Sequence, residues 1–309
     1  MIHIVGAGPG AVDLITVRGQ KLLSEADVVI YAGSLVSRDL LGWARQDARI
    51  YDSASMDLEQ VMEVMEQAER DGLTTVRLHT GDPCLYGAIR EQMDGLDARG
   101  IKYDICPGVS SFCGAAAALG MEYTLPGISQ SVVITRMAGR TPVPERESIE
   151  KFAAHGSTMV IFLSAGMTGE LSEELVKGGY PGDTPAAIVY KATWPDEKVV
   201  RCTVATLEET ADREGIHKTA LIVVGNTVAQ TGYERSKLYD PAFTTGFRAG
   251  REIVLEPGTL YVVGMGPGEK KQMTGQALEV MGRCQVIAGY TVYVDLVRGL
   301  FPQKEFLTT

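Results

Sequence analysis

Short apolar runs alternate with helical patterns through the first 120 residues of the chain. Four runs are rich in β-branched and aliphatic residues, as buried parallel strands are: residues 2–6, 27–31, 74–80 and 103–106. Three stretches have helical spacing: residues 16–24, 57–70 and 111–120. This alternation predicts a parallel α/β domain, which we place over residues 1–122.

The clearest helix is predicted over residues 57–70. Its apolar side chains repeat at helical spacing on one face: Leu58, Val61, Met62, Met65 and Ala68. Asp57 directly precedes them and is the predicted N-cap. We interpret the methionines as core residues, because a flexible thioether fills irregular gaps between other side chains.

The second half of the chain has a denser series of strands. Strands are predicted over residues 131–135, 158–163, 186–190, 199–204 and 219–225, and helices over residues 146–154, 167–177 and 206–214. Because several strands follow one another closely late in this series, a mixed sheet is expected. This α/β domain is placed over residues 123–245, and residues 246–258 are the predicted linker.

The chain then repeats its own beginning. Residues 260–268 (LYVVGMGPG) match residues 2–10 (IHIVGAGPG) at a shift of 258 positions, and the match continues beyond them without a gap. Residues 259–309 are therefore expected to be a partial third α/β segment, and function is sought in residues 1–245. Poor order or pairing at a dimer edge is expected there, because four apolar residues lack strand partners: Val262, Val263, Val286 and Ile287.

Charge and composition exclude several classes of protein. The formal net charge of −10 argues against general binding to nucleic acid or to anionic membranes, since polyanions are repelled at long range. The apolar runs are shorter than the roughly 18 residues that span a bilayer, and no signal peptide is visible. Five dispersed cysteines without a Cys-x-x-Cys pair predict neither a zinc site nor a disulfide framework. We therefore expect a cytoplasmic protein without a bound metal.

The turn GAGPGA after the first strand invites a dinucleotide-binding interpretation, which fails two tests. The fingerprint requires a third glycine where the chain has Ala11, and an acidic residue where the second strand ends in residues 30–33 (IYAG). Pro9 also has no N–H to offer a phosphate. A tight turn is the simple interpretation, but Gly8, Pro9 and Gly10 are candidates for lining a ligand cleft at the carboxyl end of the strand.

Two further strand ends carry polar residues. Asp82 in GDPCLYG either closes an Asx turn or accepts hydrogen bonds from ligand hydroxyl or ammonium groups, and both alternatives stay open. Ser110 and Ser111 in PGVSS either cap the helix that follows or hold a ligand carboxylate at its N-terminus. Ser111 does not lie in a Gly-x-Ser-x-Gly elbow, so a hydrolase triad is not expected.

No histidine is assigned a catalytic role. None of the four has metal-ligand spacing, and His3 and His79 lie in predicted strands, where satisfied core histidines are the commoner finding. Arginines gather instead in TRMAGRTPVPER, where Arg136, Arg140 and Arg146 fall within eleven residues. This stretch is either a solvated loop or a clamp for carboxylates, which guanidinium groups bind through two parallel hydrogen bonds.

The order of the motifs resembles that of one family. VGAGPG, LHTGDPCLYG, PGVSS, TRMAGRTP, VIFLSAGM, AAIVYKAT and KTALIVVG follow one another as they do in the S-adenosylmethionine-dependent tetrapyrrole methyltransferases. The resemblance covers residues 1 to about 245, and the segment from residue 259 resembles the start of another member. It implies two α/β domains with the active site in the cleft between them, in a homodimer.

The resemblance also implies roles for individual residues. Seven are expected to contact S-adenosylmethionine: Asp82, Leu85, Ser110, Ser111, Leu163, Ala187 and Ala220. Gly8, Pro9 and Gly10 are expected to face the tetrapyrrole, and we expect Arg136 and Arg140 to clamp its carboxylates. The implied reaction is in-line transfer of the sulfonium methyl group to a ring carbon, which depends mainly on positioning. No residue is singled out as a general base.

Two alternatives remain open. A methyltransferase of the same fold could act on another tetrapyrrole carbon, on diphthamide precursors or on ribosomal RNA, although the net charge weighs against RNA. A non-catalytic role in carrying or scaffolding tetrapyrroles would give binding without turnover.

Overall fold

The computed structural model describes residues 1–234, 236 and 258–309. Within them, two compact units are formed by residues 1–110 with 258–309, and by residues 111–234. The division falls before Ser111 and not after residue 122, because helix α4 (Ser111–Leu119) packs against strands of the second unit. The predicted linker, apart from Gly258, lies outside the described residues.

The first unit is built on a sheet of five parallel strands. The strands are β1 (Ile2–Gly6), β2 (Val28–Tyr31), β3 (Arg49–Asp52), β4 (Thr75–His79) and β5 (Tyr103–Cys106), in the order β3-β2-β4-β1-β5. This confirms the predicted parallel α/β arrangement. The carboxyl ends of all five strands therefore meet at one edge of the sheet.

Helices cover both faces of this sheet. They are α1 (Val17–Glu25), α2 (Leu58–Arg70) and α3 (Ile89–Ala98). Met62 and Met65 of α2 are buried in an apolar cluster against the sheet, which confirms them as core residues. Asp57 caps α2 as predicted and accepts a hydrogen bond from the Gln60 N–H at 2.8 Å. Leu58 is exposed instead of buried, because it lies in the first turn of the helix.

The second unit contains a mixed sheet, as predicted. Its strands are β6 (Val132–Arg136), β7 (Thr158–Phe162), β8 (Pro185–Tyr190), β9 (Lys198–Thr203) and β10 (Ala220–Val224), in the order β6-β7-β10-β8-β9. β6 and β7 are parallel, and the other neighbours are antiparallel. The helices after α4 are α5 (Ile149–Ala153), α6 (Thr168–Lys177) and α7 (Leu207–Glu214). No helix in the described part of the chain is long and apolar enough to cross a membrane.

The C-terminal segment adds a small two-stranded sheet to the first unit. Its elements are α8 (Gly275–Arg283), β11 (Val286–Gly289), α9 (Thr291–Arg298) and β12 (Glu305–Thr308). The expectation that Val286 and Ile287 lack partners is wrong, because β11 pairs in parallel with β12. Val262 and Val263 lie outside the strands, as expected, and Val262 is 95% exposed. A buried apolar cluster holds the segment together: Met273, Ala277, Met281 and Val297.

Candidate functional site

Two adjacent strands of the first sheet send the chain in opposite directions. From β1 the chain crosses to β2 on one side, and from β4 it crosses to β5 on the other. In open α/β sheets, ligands bind at such a switch point, outside the carboxyl ends of the strands. Six predicted residues follow β1, β4 or β5 at this edge: Gly8, Pro9, Gly10, Asp82, Leu85 and Ser110. Ser110 is buried, and Ser111, the half-buried first residue of α4, belongs to the second unit.

Three glycines pack backbone against backbone at this edge. A Cβ atom on Gly108 would lie 2.2 Å from the carbonyl oxygen of Gly81 and 2.8 Å from the Cα atom of Gly6. Gly8 has a φ of +80° and exchanges two backbone hydrogen bonds with Gly81, of 2.8 and 3.2 Å. A larger residue at any of the close approaches would push the loops apart, so the loops form one rigid edge.

Asp82 ties two of these loops together. One carboxylate oxygen accepts the Cys84 N–H at 2.8 Å, and the other accepts the Gly108 N–H at 3.0 Å. The first bond is the Asx turn that the sequence allows, and the second links the GDPCLYG and PGVSS motifs. Each carboxylate oxygen keeps a second acceptor position, so Asp82 can also accept a hydrogen bond from a ligand.

The GDPCLYG loop and the residue after it have unusual backbone conformations. Tyr86 and Ala88 have φ values of +56° and +48°, in the left-handed region that is uncommon for residues with a Cβ atom. Gly87 lies between them, and a Cβ atom there would lie 2.1 Å from a backbone carbonyl oxygen. Leu85 is half-buried in the same loop. Backbone strain of this kind clusters at ligand sites, where the surrounding structure enforces it.

Two buried basic side chains lie on β4, just before this edge. The Arg77 guanidinium donates to Gln92 Oε1 at 3.1 Å and to a backbone carbonyl at 3.2 Å, and burial lowers the pKa of Arg77 to about 10. His79 is also buried, and its Nε2 has no hydrogen-bond partner among the described residues. Burial and, to a smaller extent, the Arg77 charge lower the pKa of His79 to about 3, so this imidazole is neutral at pH 7. The expectation of a satisfied core histidine holds for His3, which contacts Asp104, and is wrong for His79.

One edge of the second sheet collects three of the remaining predicted residues. Arg136 ends β6 and pairs with the last residue of β7, directly before Leu163. Ala220 begins β10 and pairs with Tyr190, the last residue of β8. β10 runs antiparallel to β7, and Ile222 pairs with Ile161. If this register is continued by two residues, Ala220 lies opposite Leu163. The structure therefore brings Arg136, Leu163 and Ala220 to the same edge.

This edge also concentrates left-handed backbone conformations. Four residues other than glycine have φ values from +46° to +70°: Leu163, Lys191, Thr193 and Thr219. The N–H of Lys191 donates to the carbonyl of Thr219 at 3.0 Å, which joins two of the strained turns. Leu163 is 66% exposed although its side chain is aliphatic. An exposed aliphatic side chain on a strained backbone is suited to apolar contact with a ligand.

Ala187 does not reach this edge. It lies inside β8, pairs with Arg201 and Val223, and is 0% exposed. The chain reaches the edge through the turn of residues 191–193, which the sequence does not single out. This turn is recognised by its positive φ values, which the sequence of residues 191–193 (KAT) does not reveal.

The two candidate arginines differ in what they already bind. Arg136 donates three hydrogen bonds to carbonyl oxygens of its own loop, those of Met137, Thr141 and Pro142. These bonds order the loop and leave two of the five guanidinium N–H groups for a ligand. Arg140 is exposed and has no hydrogen bond or ion pair within the described part of the chain. Its whole guanidinium is open to a carboxylate.

Each edge, taken by itself, offers groups of a kind that suits part of S-adenosylmethionine. The Asp82 carboxylate can accept from ribose hydroxyls or the ammonium group, and Ser110 offers a hydroxyl. Leu163 offers apolar surface for the adenine or the thioether chain. Among the residues that the structure describes, no group of three or more His, Cys, Asp or Glu side chains could hold a metal ion.

Known proteins resemble the chain over these same motifs. Residues 1–208 match the family model of the tetrapyrrole (corrin/porphyrin) methylases. The cobalt-precorrin-4 C(11)-methyltransferase of Methanocaldococcus jannaschii is 52% identical over 247 residues, which cover 80% of this chain and 95% of that protein. A precorrin-4 C(11)-methyltransferase of a Sinorhizobium species is 45% identical and covers 81% of this chain and 99% of that protein.

Solved structures share the fold. The X-ray structure of a cobalt precorrin-4 methyltransferase, 48% identical, has a TM-score of 0.72 and covers 74% of this chain and 95% of that one. The uroporphyrin-III C-methyltransferase of Thermus thermophilus, solved with S-adenosylhomocysteine, has a TM-score of 0.64 at 25% identity, over 74% of this chain and 99% of that one. The chain belongs to the tetrapyrrole methylase family, and its two α/β domains have the fold of that family.

Proposed function

We propose that this protein methylates cobalt-precorrin-4, or precorrin-4, at C11 to give the corresponding precorrin-5 in cobalamin biosynthesis. The observation that carries the proposal is the 52% identity to a relative of that name over 95% of its length. Identity is higher to this cobalt-precorrin-4 relative (52%) than to the precorrin-4 relative from Sinorhizobium (45%), which favours the substrate that contains cobalt.

S-adenosylmethionine is the proposed methyl donor, and when bound it supplies a methyl group activated by a positively charged sulfur. The proposed contacts are the residues that the family resemblance implies: Asp82, Leu85, Ser110, Ser111, Leu163, Ala187 and Ala220. To these we add Ala192, because the turn of residues 191–193 reaches the edge at which Leu163 and Ala220 lie. At Ala187 only the backbone is available for such a contact, since the side chain is fully buried.

The proposed contribution of the chain is positioning. Holding two reactants in line can supply on the order of 7–11 kcal/mol of a barrier. The close packing of Gly6, Gly81 and Gly108 fixes the loops before a ligand arrives, so little ordering is left to be done on binding. Leu163 covers the ligand with apolar surface. We assign no general base.

The tetrapyrrole substrate carries acetate and propionate carboxylates, and we propose that arginines hold some of them. Arg140 is the stronger candidate, since its guanidinium is exposed, whereas the Arg136 guanidinium already donates three hydrogen bonds within its own loop. Gly8, Pro9 and Gly10 are the proposed contacts to the ring. The binding of an anionic substrate by a chain of net charge −10 requires such local positive groups.

A second candidate is methylation of another tetrapyrrole carbon, at C17, at C20 or on uroporphyrinogen III. The likeness to the uroporphyrin-III C-methyltransferase structure, at a TM-score of 0.64, favours it over a role outside tetrapyrrole chemistry. A carrier or scaffold would bind tetrapyrrole without turnover. The mass of the product and the position of its new methyl group by NMR distinguish these three outcomes.

Three finer points belong to the same proposal. The segment from residue 259 resembles the start of a precorrin-3B C17-methyltransferase, so we propose that it derives from a second enzyme of the pathway. We propose a homodimer and a cytoplasmic location. The oligomeric state is measured by sedimentation equilibrium of the whole chain.

The first experiment is calorimetric titration of the full chain with S-adenosylhomocysteine. The parent is expected to bind in the micromolar range, and the double variant Ser110→Ala/Ser111→Ala is expected to bind more weakly. The matched control is Ser24→Ala/Ser55→Ala, which removes two exposed hydroxyls elsewhere in the first unit. No binding by a folded parent would remove the methyltransferase proposal, and equal binding by both double variants would remove the two serines from the site.

A further inference from the structure

The turn after β8 is built around the side chain of Lys191. Its ammonium donates a hydrogen bond to the Asp196 carboxylate at 2.6 Å. The same ammonium lies over two aromatic rings, 5.3 Å from the centroid of the Tyr190 ring and 5.2 Å from that of the Trp194 ring. At such distances the ring faces attract a cation. Three neighbouring side chains therefore converge on one ammonium group.

The backbone of Lys191 is also fixed. Its N–H donates to the carbonyl of Thr219 at 3.0 Å, and its carbonyl accepts the N–H of Trp194 at 3.0 Å. Its φ of +46° is uncommon for a residue with a Cβ atom, and such a conformation persists where the surrounding structure enforces it. Thr193, at a φ of +70°, donates its N–H to a Glu197 carboxylate oxygen at 2.5 Å. The loop is therefore tied to itself and to the neighbouring strand.

Ala192 lies between these two strained residues and has unpaired polar groups although it is buried. It is 5% exposed, and neither its N–H nor its carbonyl has a hydrogen-bond partner in the described part of the chain. The great majority of buried backbone groups are paired. An unpaired donor and acceptor on one buried residue therefore suit a ligand at this edge, where Leu163 and Ala220 also lie.

Stability alone does not account for the contact between Lys191 and Asp196. The two side chains are 24% and 55% exposed, and ion pairs in contact with solvent contribute little to the free energy of unfolding. Asp196 raises the pKa of the Lys191 ammonium, and Lys191 lowers the pKa of the Asp196 carboxyl. Both groups are therefore charged at pH 7, and their contact fixes the geometry of the loop.

We infer that Lys191 is a positioning residue for the methyl donor. Its ammonium, held by Asp196 and the two rings, keeps the turn of residues 191–193 in the conformation that presents the backbone of Ala192 to the ligand. Lys191 itself is not expected to touch the reacting atoms. The inference rests on the proposed function, because the ligand of this edge is taken to be S-adenosylmethionine.

Calorimetric titration of the full chain with S-adenosylhomocysteine tests the inference. Lys191→Met keeps an unbranched side chain without the ammonium, and its Kd is expected to rise about fivefold because the ion pair and both ring contacts are lost. Lys191→Arg keeps a charge that can pair with a carboxylate and stack on rings, so its Kd is expected to stay within about twofold of the wild type. Lys198→Met is the matched control, since Lys198 is exposed on β9 and pairs with Tyr190 through the backbone.

The stoichiometry of binding separates positioning from a merely structural role. A structural defect lowers the fraction of chains that bind and leaves the Kd of the remainder unchanged, whereas a positioning defect raises the Kd at full stoichiometry. Lys191→Gly is the second variant, because glycine adopts a positive φ without strain and preserves the folded loop. Its Kd is expected to rise at least as much as that of Lys191→Met.

The outcomes distinguish this inference from the proposed function. A folded wild-type chain that binds no S-adenosylhomocysteine would overturn both. Wild-type binding with an unchanged Kd in Lys191→Met and Lys191→Gly would overturn the inference alone. So would reduced stoichiometry at the wild-type Kd, an equal rise in Lys198→Met, or a failure of Lys191→Arg to restore affinity.

Discussion

Gly108 has no room for a side chain, because its Cβ position falls 2.2 Å from the carbonyl oxygen of Gly81. Gly108→Ala must move one of the three packed loops, and overpacking of this kind costs about 1–3 kcal/mol. It also displaces the N–H that donates to Asp82, so weaker binding of S-adenosylhomocysteine is expected. Urea unfolding and calorimetry measure the two effects. Gly42→Ala is the control, since no atom lies within 4 Å of its Cβ position, and it should change neither quantity.

The exposed guanidinium of Arg140 makes a second prediction at the residue scale. Arg140→Glu is expected to raise the KM for the tetrapyrrole at least tenfold, which corresponds to roughly 1.4 kcal/mol, and to leave S-adenosylhomocysteine binding unchanged. Arg146→Glu makes the same charge change on an exposed arginine that lies beside Glu147. An equal rise in KM for both variants would show that the KM depends on the net charge and not on a contact with Arg140. An unchanged KM in Arg140→Glu would remove Arg140 from the site.

His79 predicts a pH dependence of stability. Its pKa is about 3 in the folded state against 6.5 as the ordinary value, so below pH 6.5 the unfolded chain takes up a proton that the folded chain does not. The stability that depends on neutral His79 is therefore complete above pH 6.5 and is lost as the pH falls toward 3. Between pH 7 and pH 5 the loss is about 2 kcal/mol.

The measurement is the free energy of unfolding in urea at both pH values. His79→Phe removes the titrating group and should lose about 2 kcal/mol less than the wild type over this interval. His155→Phe, at an exposed position, should retain the wild-type pH dependence. A wild-type slope in His79→Phe would show that the imidazole is not held neutral.

At the scale of elements, most strands and helices could be predicted. Strands such as β2 are buried on both faces and are continuous apolar runs, whereas helices such as α2 bury one face and show a helical period. β3 (Arg49–Asp52) was missed, since it is an edge strand whose residues are exposed or half-buried. α3 (Ile89–Ala98) was missed because it begins after left-handed Ala88 without a capping side chain. Ala187 was chosen from its motif, and only the end of β8 at Tyr190 shows that the following turn is the part that reaches the edge.

A substitution of Leu163, directly after β7, is expected to affect ligand binding without lowering stability. Leu163 has a φ of +52° and is 66% exposed, so Leu163→Gly relieves backbone strain and loses little burial. The free energy of unfolding is expected to be unchanged or to rise by up to about 1 kcal/mol. S-adenosylhomocysteine affinity is expected to fall several-fold. Val176→Ala, on an exposed part of α6, should not change affinity, and wild-type affinity in Leu163→Gly would exclude Leu163 as a contact.

At the scale of the whole molecule, the sequence predicted two α/β domains and a repeated segment, but not the contact between the copies. Thr16 and Thr274 form an antiparallel bridge although they are far apart in the chain, and no periodicity reveals which surface a repeat uses. The expectation of poor order in the repeat is wrong in part. β12 pairs in parallel with β11, as β3 pairs with β2 in the first copy, and the sequence predicts neither β3 nor β12.

Amide hydrogen exchange tests which parts of the repeated segment are ordered. Slow exchange is expected in α8 and β11, because Ala277 and Met281 are buried and β11 has a partner strand. Fast exchange is expected over residues 260–263, where Leu260 and Val262 are 87% and 95% exposed. The central strand β4 serves as the slow reference. Uniform fast exchange from residue 260 to 309 would restore the expectation of poor order.

The bridge between Thr16 and Thr274 joins two residues that the ribosome adds at widely separated times. The ribosome adds 257 residues between Thr16 and Thr274, which takes roughly 13–50 s at about 5–20 residues per second. Throughout that interval α1 has been made, but residues 270–276, which contact it, have not. The rate of translation therefore sets how long Ile15 and Thr16, which are buried in the finished protein, stay exposed in the nascent chain.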